Sequence, residues 1–219
     1  LDVARAVHYQ TREPIAEVSQ ANLGLLRRDL LDQSRYREAL AAVPFADLVA
    51  MAKRAAAHFL HDTLPLDPFS GATQSPDDYV RQLSATTGMP HVMVRRNMAK
   101  INDALANMRT VLNGLTRGLD LGIIDDGFGE QAGCPVSYYP TTNCLGLVMP
   151  SNSPAVNSLW LPAIALKTPV IIKPGREEPW TPFRLIQAFI AAGVPASAFG
   201  FYPTDHEGSG EVLKLSGRA

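Results

Sequence analysis

The sequence predicts an α/β protein. A helical N-terminal part, residues 1–121, precedes the first βαβαβ portion of a doubly wound parallel sheet, residues 144–219. Three observations carry this prediction. The first half holds long stretches with apolar residues at helical spacing. Residues 122–143 are rich in glycine and proline and read as a loop holding a strand pair. From Cys144 onward, continuous apolar runs alternate with helix-spaced segments, the pattern of strands covered on both faces.

The elements follow in order. Arg35 to His61 is rich in Ala, Leu and basic residues and reads as a helix, stopped by the prolines of Thr63-Leu64-Pro65-Leu66-Asp67-Pro68. Ser75-Pro76-Asp77-Asp78 has the form of a helix start: a capping hydroxyl, a proline for the first turn, and two acids at the positive end of the dipole. Gly88 stops that helix. After Pro90, Val94, Met98, Ile101, Leu105, Met108, Leu112 and Leu115 form one apolar stripe, which predicts a long helix lying on a sheet or another helix. Val136-Ser137-Tyr138-Tyr139 reads as a strand that pairs with Asn143 to Val148 through a Pro140-Thr141-Thr142 turn.

Cys144 to Met149 is the first strand of the βαβαβ unit. Val156, Leu159, Trp160, Ala163 and Ile164 mark the first helix, with a kink expected at Pro162. Val170-Ile171-Ile172 is β-branched throughout and forms the second strand. Thr181-Pro182 caps the second helix, whose buried side is Phe183, Ile186, Phe189 and Ile190, and Gly193 ends it. Phe199 to Tyr202 is the third strand. Such a unit implies a right-handed, Rossmann-like crossover arrangement.

Bulk properties restrict the function. The chain has 219 residues, 46% hydrophobic and 19% charged, outside the range of disordered proteins. A formal net charge of -1 offers nothing to nucleic acid or an anionic membrane. No apolar run reaches the roughly 18 residues of a membrane span. Leu1-Asp2-Val3-Ala4-Arg5 lacks the basic start and apolar core of a secretory signal. Two cysteines, Cys134 and Cys144, make no disulfide framework, so a reducing, cytoplasmic setting is expected.

Ligands of open parallel sheets bind outside the carboxyl ends of the strands. Two loops occupy that position: Met149-Pro150-Ser151-Asn152-Ser153-Pro154 and Lys173-Pro174-Gly175-Arg176-Glu177-Glu178-Pro179. Together with what flanks them they resemble the aldehyde dehydrogenase superfamily. Gly146 to Pro154 is similar to its G-V-[IV]-x-P-W-N-x-P stretch, and Val170 to Gly175 to its V-[VI]-x-K-P-[SA]. Ala191-Ala192-Gly193-Val194-Pro195 is similar to its A-G-[LV]-P, and Thr86-Thr87-Gly88-Met89-Pro90 to its E-T-G-K-P. The likeness covers roughly 50 to 215. The opening 45 or so residues look less like ordinary members and leave room for the acyl-CoA-reducing branches.

The resemblance implies roles residue by residue. Asn152 stands where the family holds the substrate oxyanion. Lys173 stands where the family bonds the adenosine ribose. Met149, Pro150, Ser151 and Pro174 would line the cofactor, NADP or NAD. Arg176 replaces the Glu common in NAD-preferring members, which favours NADP. Ser151 replaces the usual Trp, and His206 in Thr204 to Gly210 lies near an expected Gly of the pyrophosphate loop. The expected activity is NAD(P)-dependent oxidation or reduction of a small-molecule aldehyde or acyl-CoA thioester, in a homo-oligomer joined through the strand pair near Val136 to Leu147. The family's F-T-G-S loop, Glu base and Cys nucleophile match nothing up to Ala219, so the 219-residue chain alone is expected to be inactive. The alternative is a non-catalytic nucleotide-binding or assembly module.

Plainer readings stand beside these. Asn152 could cap the following helix, and Lys173, Arg176, Glu177 and Glu178 could be a solvated charged loop. His58 and His61 would be a polar helix face, since two ligands make no zinc site, and no metal is expected. Cys144 reads as a small buried hydrophobe, Cys134 as an inert loop thiol, Asp125-Asp126 as loop, and Trp160 as core.

Overall fold

A computed structural model describes residues 2–31, 34–67 and 70–216, with only the backbone at 34 and 35. Pro68, expected to help stop a helix, lies outside the described residues, as do 217–219.

The first departure from expectation is at the N-terminus. β1 (Val3–Val7) and β2 (Pro14–Ser19) form an antiparallel hairpin, not helix. Val3-Ala4-Arg5-Ala6-Val7 alternates too weakly in polarity to stand out, and Ala6 is the one strand residue that is fully buried. Helices α1 (Leu23–Leu31) and α2 (Ser34–Ala41) follow. α3 (Phe45–His61) begins after Pro44, so the helical stretch from Arg35 to His61 is two helices. Asp125 bridges the break: its carboxylate accepts the Phe45 amide at 3.0 Å and pairs with Lys167. Asp125 and Asp126 themselves belong to a short helix, α7 (Ile123–Asp126), instead of a loop.

β3 (Leu64–Asp67) and β4 (Ala72–Gln74) form a second hairpin where only a helix stop was expected. α4 (Pro76–Thr87) has the predicted ends. The Ser75 hydroxyl accepts the Asp78 amide, the Asp78 carboxylate accepts the Ser75 amide, and Gly88 takes the left-handed conformation at φ 77°. The stripe after Pro90 is divided at Asn107 into α5 (His91–Ala106) and α6 (Met108–Leu115). Val94, Met98, Ile101, Leu105, Met108 and Leu112 are buried, but Leu115 is exposed. α5 packs on α3.

β5 (Phe128–Gln131) pairs antiparallel with β6 (Cys134–Ser137). The expected partnership of Val136 with Asn143 to Val148 is therefore incorrect. Gly133 at φ 78° and Ala132 at φ 52° make a two-residue turn that closes the hairpin locally, which the nearer strand wins over Pro140-Thr141-Thr142.

The parallel sheet is as predicted: β7 (Leu145–Val148), β8 (Val170–Lys173) and β9 (Phe199–Phe201), in the order β7-β8-β9. Between β7 and β8 a 3-10 turn, Pro154–Leu159, leads into α8 (Leu161–Ala165). Pro162 sits in the first turn of α8, where it has no carbonyl to break from, and so starts a helix instead of kinking one. α9 (Trp180–Ala191) joins β8 to β9 and begins one residue before the predicted cap, with Thr181 inside it and buried. Phe183 and Ile190 are only half-buried, while Leu185, Ile186, Ala188 and Phe189 carry the contact. α10 (His206–Leu215) follows β9.

Both sheet faces are covered, the condition that makes continuous apolar strands stable. Val170 and Ile172 face the main core, which includes Phe59, Leu105, Trp160 and Phe189. Ile171 faces the other way, toward Leu26, Leu30, Cys144 and Val212 from α1, β7's approach and α10. Among the described residues, a guanidinium is buried beside the main core. Arg184 on α9 donates to the carbonyls of Phe59, Asp62 and Gln74 and lies over the Phe59 and Tyr79 rings. Those bonds tie the β3–β4 hairpin to α9, and burial brings the guanidinium down to about 10. No described helix is long and apolar enough to cross a membrane.

Candidate functional site

The carboxyl ends of β7, β8 and β9 open into one cavity of about 650 Å³. All six residues expected to line a cofactor, Met149, Pro150, Ser151, Lys173, Pro174 and Arg176, do line it. Its volume lies in the range of small-molecule sites.

Two contacts hold the post-strand loops together. The Met149 amide donates to the Lys173 carbonyl at 2.9 Å, and the Glu177 amide donates to the Ser151 hydroxyl at 3.2 Å. Gly175 makes the approach possible: a Cβ there would lie 2.6 Å from Ser151 Oγ and 2.7 Å from the Pro150 carbonyl oxygen. Ser151 is thus a bridge between the two loops.

Lys173 is half-buried, and burial lowers its pKa against the opposing pull of Glu177 and Asp205. Arg176 is exposed at the rim. Glu178, expected to share a solvated loop with it, turns inward and is fully buried. Its Oε1 accepts the Thr181 amide at 2.8 Å and the Thr181 hydroxyl at 2.7 Å, while Oε2 has no partner. Burial pushes its carboxyl up to about 8. Glu178 therefore cannot offset Arg176, which leaves Glu177 as the nearby acid of that loop.

Asn152 is exposed just beyond β7 and lies outside the cavity lining. It is not a helix cap. The residue at the start of the 3-10 turn is Ser153, which makes no side-chain capping bond. The buried amide nearby is Asn157, missed in the sequence, which donates to the Pro154 carbonyl and accepts from Trp160 Nε1 at 3.0 Å. That pair fixes the turn that carries the Asn152 loop.

The stretch from Thr204 to Gly210, which departs from the family's pyrophosphate loop at His206, is mostly the start of α10. Asp205 caps it, accepting the Gly208 amide at 2.9 Å, so a carboxylate already occupies one amide of the first turn. His206 and Ser209 nevertheless line the cavity.

The sequence reading missed a whole wall. Ala4, Arg5, Ala6, Val18 and Gln20 of the N-terminal hairpin cover the cavity. The hairpin is held at its base by the Ala21 amide on the Pro203 carbonyl, 2.8 Å, and the Thr204 hydroxyl on the Ala21 carbonyl, 2.9 Å. The available signal was the period-two pattern of Pro14-Ile15-Ala16-Glu17-Val18, obscured by its small, partly exposed residues.

Cys134 is exposed on β6, and Cys144 is buried with its thiol pushed up to about 11. Neither lines the cavity. His58 pairs with Asp62 at 2.7 Å, and no group of three or more candidate metal ligands exists among the described residues.

Comparison with known proteins agrees with this layout. The model of the aldehyde dehydrogenase family matches residues 73–216. Among solved structures, an NAD-dependent benzaldehyde dehydrogenase from Corynebacterium glutamicum superposes with a TM-score of 0.70 at 17% identity, over 97% of this chain and 43% of that one. A succinate-semialdehyde dehydrogenase from Burkholderia pseudomallei gives 0.72 at 14% identity, and an NADP-dependent enzyme from E. coli also gives 0.72 at 14%. Each of these two is covered over 40% of its length, with 97% of this chain aligned. The chain thus spans less than half the length of these three proteins. No curated protein matches the sequence. A family match from 73 to 216, over the sheet and both post-strand loops, shows that the chain belongs to the aldehyde dehydrogenase family.

Proposed function

We propose that this chain forms the nicotinamide-dinucleotide-binding part of an NAD(P)-dependent aldehyde dehydrogenase. One observation carries the reading: six residues from two separate post-strand loops converge on one cavity at the carboxyl ends of a parallel sheet. The residues present fit the adenosine end of such a dinucleotide. Lys173 offers a half-buried ammonium for ribose hydroxyls, and Met149, Pro150 and Ser151 make a closely packed wall. The departure is at α10, where the Asp205 carboxylate occupies the Gly208 amide that would otherwise face a diphosphate.

When bound, the nicotinamide accepts or returns a hydride. The chain's own residues bind and orient. Lys173 and the wall around Ser151 fix the nucleotide, and Asn152, exposed on the same loop, presents an amide donor to a carbonyl oxygen that gains negative charge. The substrate is an aldehyde or an acyl-CoA thioester, and the nucleophile is supplied from outside the residues described, because neither cysteine reaches the cavity. The 219-residue chain by itself oxidises no aldehyde. NADP is preferred to NAD, since Arg176 at the rim can pair with a phosphate and Glu178 is turned away from it. The segment from Val136 to Leu147, with Tyr139 exposed, joins copies of the protein beside the exposed Phe128 of β5.

Titration of NAD and NADP into the protein, monitored by calorimetry, tests the reading. Binding of both, weakened by about tenfold in Lys173→Ala, is expected for the loss of a charged donor. Absence of binding, or a variant with unchanged affinity, overturns it.

A further inference from the structure

Glu177 and Pro179 line the cavity at the strand ends, but Glu178 between them does not: its side chain turns inward and is fully buried. There it ends a chain of bonds that runs from α4 through α9. The Tyr79 hydroxyl of α4 lies 2.7 Å from the Thr181 hydroxyl of α9. The hydroxyl and the amide of Thr181 both donate to Glu178 Oε1, at 2.7 and 2.8 Å. We propose that Glu178 is a positioning residue for the nucleotide cavity: as a neutral acid it holds the loop after β8 against α4, and its ionisation turns that loop outward and releases the nucleotide. The inference rests on the nucleotide reading above and adds to it a proton that the nucleotide-bound state retains.

The bonding around the carboxyl group suits the neutral form. Both available donors go to Oε1, and the buried Oε2 has no partner. With its proton given to Glu178, the Thr181 hydroxyl accepts from Tyr79, so the chain has no donor left for a second carboxylate oxygen. The charged and titratable groups around it offer no relief. Tyr79 from α4 is held neutral, its pKa raised by burial and then by Glu178 itself. Arg184 from α9 spends its guanidinium on the carbonyls of Phe59, Asp62 and Gln74. In the same loop Lys173, Arg176 and Glu177 open to the cavity instead. Among the described residues no cation pairs with Glu178, and a buried carboxylate without a partner is costly. Burial accordingly pushes the carboxyl up to about 8.

Ionisation at Glu178 reaches the cavity through the backbone next to it. The Glu177 carbonyl accepts from the Thr86 hydroxyl at 2.6 Å, and the Glu177 amide donates to the Ser151 hydroxyl at 3.2 Å. These bonds fix the loop after β8 to α4 on one side and to the loop after β7 on the other. A carboxylate that leaves the interior for water has to rotate residues 177–179 toward the cavity, since Glu177 and Pro179 already face it. Both Glu177 bonds are then lost, and a second negative charge joins Glu177 at a site that takes an anionic nucleotide. The neutral form binds and the ionised form does not, so the apparent affinity follows the neutral fraction.

Calorimetric titration of NAD into the 219-residue protein at pH 7, 8 and 9 tests this, because NAD itself changes no charge over that range. Affinity is expected to fall by about tenfold from pH 7 to pH 9. At pH 8, repeating the titration in buffers of different ionisation enthalpy should show uptake of about half a proton per NAD bound. Glu178→Gln keeps a carbonyl oxygen for both Thr181 donors and cannot ionise. It is expected to bind NAD at pH 9 as the parent does at pH 7, within about twofold, and to take up no proton. Lys173, whose pKa burial lowers, is the competing source of a fall at high pH, and it is intact in the variant. If the parent's affinity is flat from pH 7 to pH 9, or the fall or the proton uptake survives in Glu178→Gln, the role of Glu178 is overturned and the nucleotide reading stands. If NAD binds the parent at none of these pH values, both are overturned.

Discussion

Thr86, at the end of α4, donates its hydroxyl to the carbonyl of Glu177 at 2.6 Å and accepts the indole N–H of Trp180 at 3.0 Å. One side chain thus joins the helical region to the loop after β8 and to the start of α9. Thr86→Val keeps the shape but leaves a buried indole donor without a partner, at a cost of about 1–3 kcal/mol. The expected result is a melting temperature lower by roughly 2–10 °C for a chain of this size. Nucleotide binding should weaken in parallel, because the loop loses its anchor. An unchanged melting temperature would show that the bond contributes nothing.

Glu178 gives a pH dependence of definite sign. Its carboxyl titrates at about 8 in the folded chain against 4.5 when unfolded, because burial disfavours the charged form. Between those values the folded state holds a proton that the unfolded state has released. Stability from this group is therefore complete below 4.5 and declines as the pH rises toward about 8. Glu178→Gln cannot ionise, so its stability relative to the parent should rise by roughly 1–3 kcal/mol between pH 5 and pH 8. Denaturant melts of both proteins at the two pH values measure this, and a constant difference refutes it.

Gly175 separates the loop after β8 from the loop after β7. An added Cβ would meet Ser151 Oγ at 2.6 Å and the backbone of Pro150 at 2.7 and 2.8 Å, and backbone does not yield cheaply. Gly175→Ala is expected to destabilise the protein by about 1–3 kcal/mol and to weaken nucleotide binding. Combining it with Ser151→Gly removes the hydroxyl but not the carbonyl clash, so recovery should be partial. Full recovery would place the whole clash on Ser151.

Asn152 is exposed on the loop after β7 and caps nothing. In an enzyme that joins this segment to a thiol nucleophile, Asn152→Ala should lower kcat by about 100-fold or more and leave cofactor affinity unchanged. Steady-state rates and cofactor titration on the same variant separate the two effects. A near-normal kcat would remove Asn152 from the chemistry.

The sequence by itself determined the elements whose signals are local. Ser75, Pro76, Asp78 and Gly88 bound α4 because capping and left-handed stops involve neighbours within a turn. Val170-Ile171-Ile172 is a strand because branched side chains buried on both faces suit nothing else so well. The six residues proposed to line a cofactor, which do line one cavity, were legible because two short loops carry them. Only tertiary structure decided the rest. The N-terminal hairpin is stable because Ala21, Pro203, Thr204, Tyr9 and Ala85, distant in sequence, bond across it. Val136 pairs with β5 because Ala132 and Gly133 close a tight turn with positive φ, a choice that the strand residues do not encode. Glu178 and Glu177 look alike in sequence, yet one is buried at 0% exposure and the other is exposed. The difference arises because the amide and hydroxyl of Thr181 hold the one carboxylate in the interior, and burial of that kind leaves no periodic trace in the chain.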